Sequence, residues 1–205
     1  MNIISNCCAG GYLYRDYLKT QYPNPFIWSK ISFKDYYELM KHYKELNFNN
    51  IDIIRYKDFV SREDSKGITE WQHLTNVGIR IDNRVNVFYP HNYYSPTDKT
   101  PRIVNCEVYY NKNYELTLNN WIKRIKRSNI TENPIWVILT QANKKFTQSN
   151  TEKLLNDFKT EKIVVITSFK DLLKLNTANH RIYYNNNVER SPQAVLWETK
   201  INLNF

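Results

Sequence analysis

Ile135-Trp136-Val137-Ile138-Leu139-Thr140 is a near-continuous apolar run closed by a threonine. A strand buried on both faces reads this way, whereas a half-exposed strand alternates. Ile163-Val164-Val165-Ile166-Thr167 repeats the pattern. Between the two runs, residues 149–158 carry helical periodicity, with Ser149 and Glu152 at capping-box spacing. Strand, helix, strand in that order is the unit of a parallel sheet.

The same alternation extends outward. Ser168 and Asp171 start a further helix, and Arg181-Ile182-Tyr183-Tyr184 reads as a last strand. Upstream, Arg102 to Tyr110 reads as a strand, and residues 114–128 as a helix with Leu118, Trp121, Ile122 and Ile125 on one face. Residues 33–46 repeat Phe33, Tyr36, Tyr37, Met40 and Tyr43 at helical spacing behind a Ser32/Asp35 start, a stripe that belongs in a core. Ile51 to Ile54 looks like a strand. Val77 to Ile81 and Arg84 to Tyr89 alternate with period 2 around Asp82-Asn83, a hairpin signal without the preferred glycine. The fold expected is α/β: a mostly parallel sheet flanked by helices in three Rossmann-like layers, with an antiparallel hairpin inserted near the middle. Residues 1–184 make a single α/β domain, and the Asn-rich stretch 185–205 a loosely packed tail.

The first strand is Ile3-Ile4-Ser5, followed by Asn6-Cys7-Cys8-Ala9-Gly10-Gly11 and a helix through Leu18. Two of the four glycines in the chain stand side by side here. Glycines between a strand and a helix predict a tight open turn whose backbone N–H groups face a ligand. In open α/β sheets ligands bind at the carboxyl ends of the strands. Ser5, Asn6, Cys7, Gly10, Gly11 and Tyr14 are therefore the candidate ligand-binding residues. Cys8, just before the helix, is the candidate nucleophile, because a helix N-terminus favours the thiolate. Both thiols also suit the role of small buried filler. His91, in the proline-rich loop 90–101, is the candidate acid or base. Asp98 and Glu107 are further carboxylates in that region. Arg124 and Arg127 could clamp a phosphate or carboxylate, although a helix face bearing Lys123, Arg124, Lys126 and Arg127 also reads as plain solvated surface.

A net charge of +9 and a pI near 9.3 imply attraction to something anionic. The basic residues are spread along the chain and form no recognisable nucleic-acid module, so nucleic acid is an unlikely partner. The glycine pair is neither a G-x-G-x-x-G fingerprint nor a P-loop. Three cysteines and four scattered histidines offer no zinc spacing and no disulfide framework, and no metal site is expected. With no apolar run of about 18 residues and no basic start before Ile3-Ile4, a cytoplasmic protein is expected.

The ordered set Ile3-Ile4-Ser5-Asn6-Cys7-Cys8-Ala9-Gly10-Gly11 with Tyr14, Asn24-Pro25-Phe26-Ile27, Trp121 to Arg127, and Trp136 to Thr140 resembles a bacterial domain family of unknown function linked to exopolysaccharide biosynthesis. That family opens I-I-S-N-N-C-W-G-G and carries W-x-R-R-x-x-R. The resemblance spans most of residues 2–167. This chain departs from it in having Tyr109-Tyr110 where the family has His-Tyr, and Gln141 where it has Asp. The resemblance implies a transferase of surface-polysaccharide assembly, moving a glycosyl or acyl group from an activated, phosphate-bearing donor to a glycan acceptor. A nucleotide sugar or a coenzyme A thioester would be the donor, and peripheral contact with the inner face of the membrane would be compatible. The reading from a different class is a non-catalytic binding protein for an anionic sugar, a lipid headgroup or nucleic acid.

Overall fold

The computed structural model describes residues 1–20, 24–27, 29–57, 75–89, 114–128, 130, 132–187 and 192–205. Four strands form a wholly parallel sheet: β1 (Ile3–Ser5), β5 (Ile135–Leu139), β6 (Lys162–Thr167) and β7 (His180–Tyr184), in the order β1-β5-β6-β7. Registers such as Ser5↔Val137 and Val137↔Val164 align the threonine-ended runs side by side. The α/β class expected from the apolar runs is the one found. Every residue of β5 is buried, and β6 is buried from its second residue on.

Side chains of the sheet alternate between two cores. One face carries Ile4, Trp136, Ile138, Ile163 and Val165. Against it packs α2 (Phe33–His42), where Ser32 caps the helix by accepting from Asp35 N (3.1 Å). The aromatic stripe of α2 is core, as its spacing predicts: Tyr36 and Tyr43 meet Trp136 edge-on at 5.6 and 5.4 Å. α4 (Gln148–Asp157) buries Leu154 and Leu155 in the same core. Its cap is Thr147, which accepts from Asn150 N (3.2 Å), so Ser149 lies inside the helix instead of starting it. The further helix expected after β6 is a 3₁₀ segment, Lys170–Leu175.

The hairpin exists, but it belongs to a separate antiparallel sheet of β2 (Ile51–Lys57), β3 (Thr75–Ile81) and β4 (Val85–Tyr89). Asp82 and Asn83 take positive φ (50° and 57°) in the turn, a conformation that Asp and Asn tolerate better than most residues and that replaces the missing glycine. Ile79, Ile81, Val85 and Val87 complete the α2-side core. The Asp35 carboxylate accepts from Asn86 N (2.9 Å) and Nδ2 (3.0 Å), pinning β4 to the start of α2. The strand expected at 102–110 and the loop at 90–101 lie outside the described residues.

The other face carries Ile3, Val137, Leu139, Val164 and Ile166. It is covered by α1 (Ala9–Tyr12), which runs on into a π-helical turn (Leu13–Tyr17), and by α5 (Pro192–Thr199). The expectation of a loosely packed tail over 185–205 is corrected here. Val195, Leu196, Ile201 and Leu203 are buried in this core. The short 192–199 segment shows little periodicity because its neighbours on the sheet, not its own pattern, select the buried side.

Among the described residues no helix is long and apolar enough to cross a membrane.

Candidate functional site

The carboxyl ends of β1, β5, β6 and β7 lie side by side, as the sheet registers require. Residues 5–8, 140–141, 167–168 and 185 follow these strand ends and form one polar edge. Its inner layer is tightly hydrogen-bonded. Thr140 Oγ1 reaches Thr167 Oγ1 (3.2 Å), which accepts from Phe169 N (3.0 Å). Gln141 Nε2 donates to Asn185 O (3.1 Å), and Asn185 Nδ2 donates to Thr199 Oγ1 of α5 (3.0 Å).

The structure gives the candidate residues of the first strand mainly architectural work. Asn6 is fully buried: its Nδ2 donates to Leu139 O (3.1 Å) and its Oδ1 accepts from Leu139 N (3.0 Å). The side-chain amide thus imitates a peptide group and prolongs the β1–β5 ladder past Ser5. Tyr14 is buried as well. Its hydroxyl accepts from Ile3 N (2.8 Å) and Asn24 Nδ2 (3.1 Å) and donates to Met1 O (3.1 Å). With Asn24 Nδ2 on Ile3 O (2.7 Å), these groups satisfy the outer edge of β1, whereas Tyr36 OH donates to Ile4 O (3.0 Å) and Val137 O (3.2 Å) between β1 and β5. Tyr14 therefore serves the edge of β1, and burial raises its phenol to about 12.

Gly10 and Gly11 do not form the open turn that adjacent glycines predict. Both are buried within α1, and the turn itself is Asn6-Cys7-Cys8. A Cβ on Gly10 would lie 3.4 Å from Ser5 Cβ, so the glycine brings the helix close to the strand. Gly10→Ala is accordingly expected to fold with unchanged or slightly raised stability, since alanine gains up to about 1 kcal/mol of helix propensity. Gly10→Val should lose about 1–3 kcal/mol through overpacking. Thermal denaturation of the two variants checks the order; equal stability would mean that the helix is free to move off Ser5.

The two cysteines differ. Cys7 is buried with its Sγ 3.9 Å from Ser5 Oγ, and burial pushes its thiol up to about 11, so it stays protonated at neutral pH. Cys8 is half-buried at the N-cap of α1, in the turn that follows β1.

Arg124 and Arg127 are not brought to this edge. α3 (Tyr114–Arg127) packs on the α2 side through Trp121, whose Nε1 donates to Phe48 O (2.9 Å) and whose ring meets Phe26 at 5.6 Å. Its last turn leads toward the amino end of β5, where Ile130 O accepts from Tyr43 OH and Glu132 O from Asn2 Nδ2. Arg124 is 1% exposed, buried beside Trp121, while Arg127 is exposed with its Nε on Lys123 O (3.2 Å). The solvated basic face therefore consists of Lys123, Lys126 and Arg127 without Arg124. His91, Asp98 and Glu107 lie outside the described residues, as do Tyr109 and Tyr110. Among the described residues no three His, Cys, Asp or Glu side chains gather as a metal site.

One group at the edge has no role in the architecture. Gln141 Oε1 is buried and finds no hydrogen-bond donor among the described residues. The amide cannot simply be reversed, because its Nε2 is needed as the donor to Asn185 O. No protein-family model and no curated protein matches this chain. The site must be read from its own chemistry. Gln141 and its threonine neighbours had one sequence signal, the repeated threonine at the end of each apolar run.

Proposed function

We propose that the chain is an enzyme of surface-polysaccharide assembly that moves a glycosyl or acyl group from an activated, phosphate-bearing donor at the carboxyl edge of the parallel sheet. The observation that carries this reading is the unpaired Gln141 Oε1. A carbonyl oxygen can only accept, and an ionised phosphate can only accept, so the phosphate is not its partner. A sugar hydroxyl or an amide N–H is. A buried acceptor left unpaired costs about 1–3 kcal/mol, which a ligand hydroxyl would recover on binding. Of the two donor classes expected, a nucleotide sugar supplies such hydroxyls most directly, and the resemblance of the Ile3–Gly11 stretch to the exopolysaccharide family points the same way. Cys8 stands at the edge as nucleophile.

A thermal-shift screen against nucleotide sugars and coenzyme A thioesters, with and without divalent metal, tests the reading. A donor at about 100 times its Kd adds roughly 2.7 kcal/mol of stability. Gln141→Leu removes the unpaired acceptor but also the donor to Asn185 O, so it should fold with stability within about 1–3 kcal/mol of the natural chain and lose that shift. Cys8→Ala should keep the shift and lose turnover by about 100-fold or more, whereas Cys7→Ala should turn over within a few-fold of normal. A donor shift untouched by Gln141→Leu would remove Gln141 from the site. A response to oligonucleotide or acidic polysaccharide alone, without turnover, would replace the transferase by the binding protein.

A further inference from the structure

On the outer side of α5, Gln193, Ala194, Trp197 and Glu198 line a shallow open groove. Trp197 is 62% exposed, more than Met1, Tyr17 or Leu173, the other exposed large apolar side chains among the described residues. Its exposure is not needed for folding, because Val195 and Leu196 already anchor the helix in the core. The neighbouring Asp16 carboxylate accepts from Arg15 Nε (2.6 Å) and Gln193 Nε2 (3.2 Å), and Arg15 above all holds it below the usual carboxylate range. A large aromatic surface thus faces water beside a fixed polar rim.

We infer that this groove binds a sugar ring of a glycan, stacked on Trp197 and rimmed by Gln193 and Glu198. A pyranose has an apolar face of C–H groups and a perimeter of hydroxyls. The groove offers the complementary pattern: one aromatic surface flanked by amide and carboxylate oxygens that accept from hydroxyls. Other occupants fit less well. The Glu198 carboxylate on the rim disfavours a phosphate backbone or an anionic lipid surface, Asp16 being already paired with Arg15. An apolar helix would need a groove with more than one large apolar group.

The groove sits next to the proposed reaction edge, since Thr199 of the same helix accepts from Asn185, whose carbonyl takes Gln141. Calling the bound sugar the acceptor rests on the transferase reading; that a sugar binds does not.

The test is binding of the full chain to a printed array of neutral, amino-sugar and acidic oligosaccharides, followed by calorimetric titration of the best neutral or amino-sugar ligand. Trp197→Ala should weaken binding at least tenfold and Trp197→Phe by much less, with unfolding midpoints near normal. Nucleotide-sugar thermal shifts should be the same in all three proteins. No array binding by the natural chain, or binding unchanged in Trp197→Ala, would overturn the proposal. So would a Trp197→Ala defect confined to vesicles of anionic phospholipid. If donor shifts persist while the array fails, only the groove is lost; if the array succeeds and no donor shifts the protein, the transferase reading falls and the glycan site stands.

Discussion

Asn6→Ala is expected to destabilise the protein by about 3 kcal/mol, lowering the thermal midpoint by on the order of 10 °C. The size follows from what the amide replaces. β1 is three residues long, so β5 outlasts it, and Leu139 would otherwise present an N–H and a C=O toward β1 with nothing opposite. Asn6 satisfies both at 3.0 and 3.1 Å in a fully buried position. Removing the amide leaves two buried backbone groups unpaired, at about 1–3 kcal/mol each before any relaxation. Asn6→Asp should be worse than alanine at neutral pH. One carboxylate oxygen still accepts from Leu139 N, but the other then faces Leu139 O, and a buried charge is added. Urea unfolding of the three proteins gives the comparison. A loss below about 1 kcal/mol in the alanine variant would mean that water or a shift of β5 rescues Leu139, and the ladder argument would fail.

The same residue shows where sequence and structure part company. The strands at 135–139 and 163–166 are legible because burial on both faces leaves an unbroken apolar run. α2 is legible because its stripe and its Ser32 cap are both local features. Partners are not local. Nothing in Asn6 itself distinguishes an amide aimed at a ligand from one aimed at Leu139, which is 133 residues away. Arg124 reads as surface from its basic neighbours, yet it falls three residues after Trp121, on the buried side of α3. The paired glycines raise the expectation of a ligand turn, whereas Gly10 answers to the closeness of Ser5. β2 reads correctly as a strand, but its sheet is chosen by β3, which no pattern within residues 51–57 reveals. Of the site, the carboxyl edge was legible from strand order and from Cys8. The unpaired oxygen of Gln141 was not, because an orphan is defined by what its neighbours fail to offer.

Alkaline titration should unfold the protein near pH 11, where arginine still holds its charge. Four buried acids are held protonated by the fold. Burial raises Cys7 from 9.0 to about 11 and Tyr14 from 10.0 to about 12, and it raises Tyr36 and Tyr43 well above 10.0. Each native group therefore keeps a proton that the unfolded chain releases. The unfolded state binds fewer protons, so stability falls as pH rises. The stabilisation is complete below about pH 9 and is lost first through Cys7, then through the tyrosines above pH 10. Each titrating group contributes about 1.4 kcal/mol per pH unit. By pH 11 the four groups together forfeit several kcal/mol, a large share of the roughly 5–15 that a domain of this kind possesses. Tyrosinate absorbance near 295 nm and far-ultraviolet circular dichroism, followed together from pH 8 to 12, make the test. Tyr14, Tyr36 and Tyr43 should ionise only as helical signal disappears. Tyr36→Phe sharpens the experiment: one fewer buried acid makes the fall in stability shallower, even though the hydrogen bond to Ile4 O is lost at neutral pH. Full native ellipticity at pH 12, or ionisation of every tyrosine while the helical signal is still intact, would show that these hydroxyls are hydrated in the folded protein.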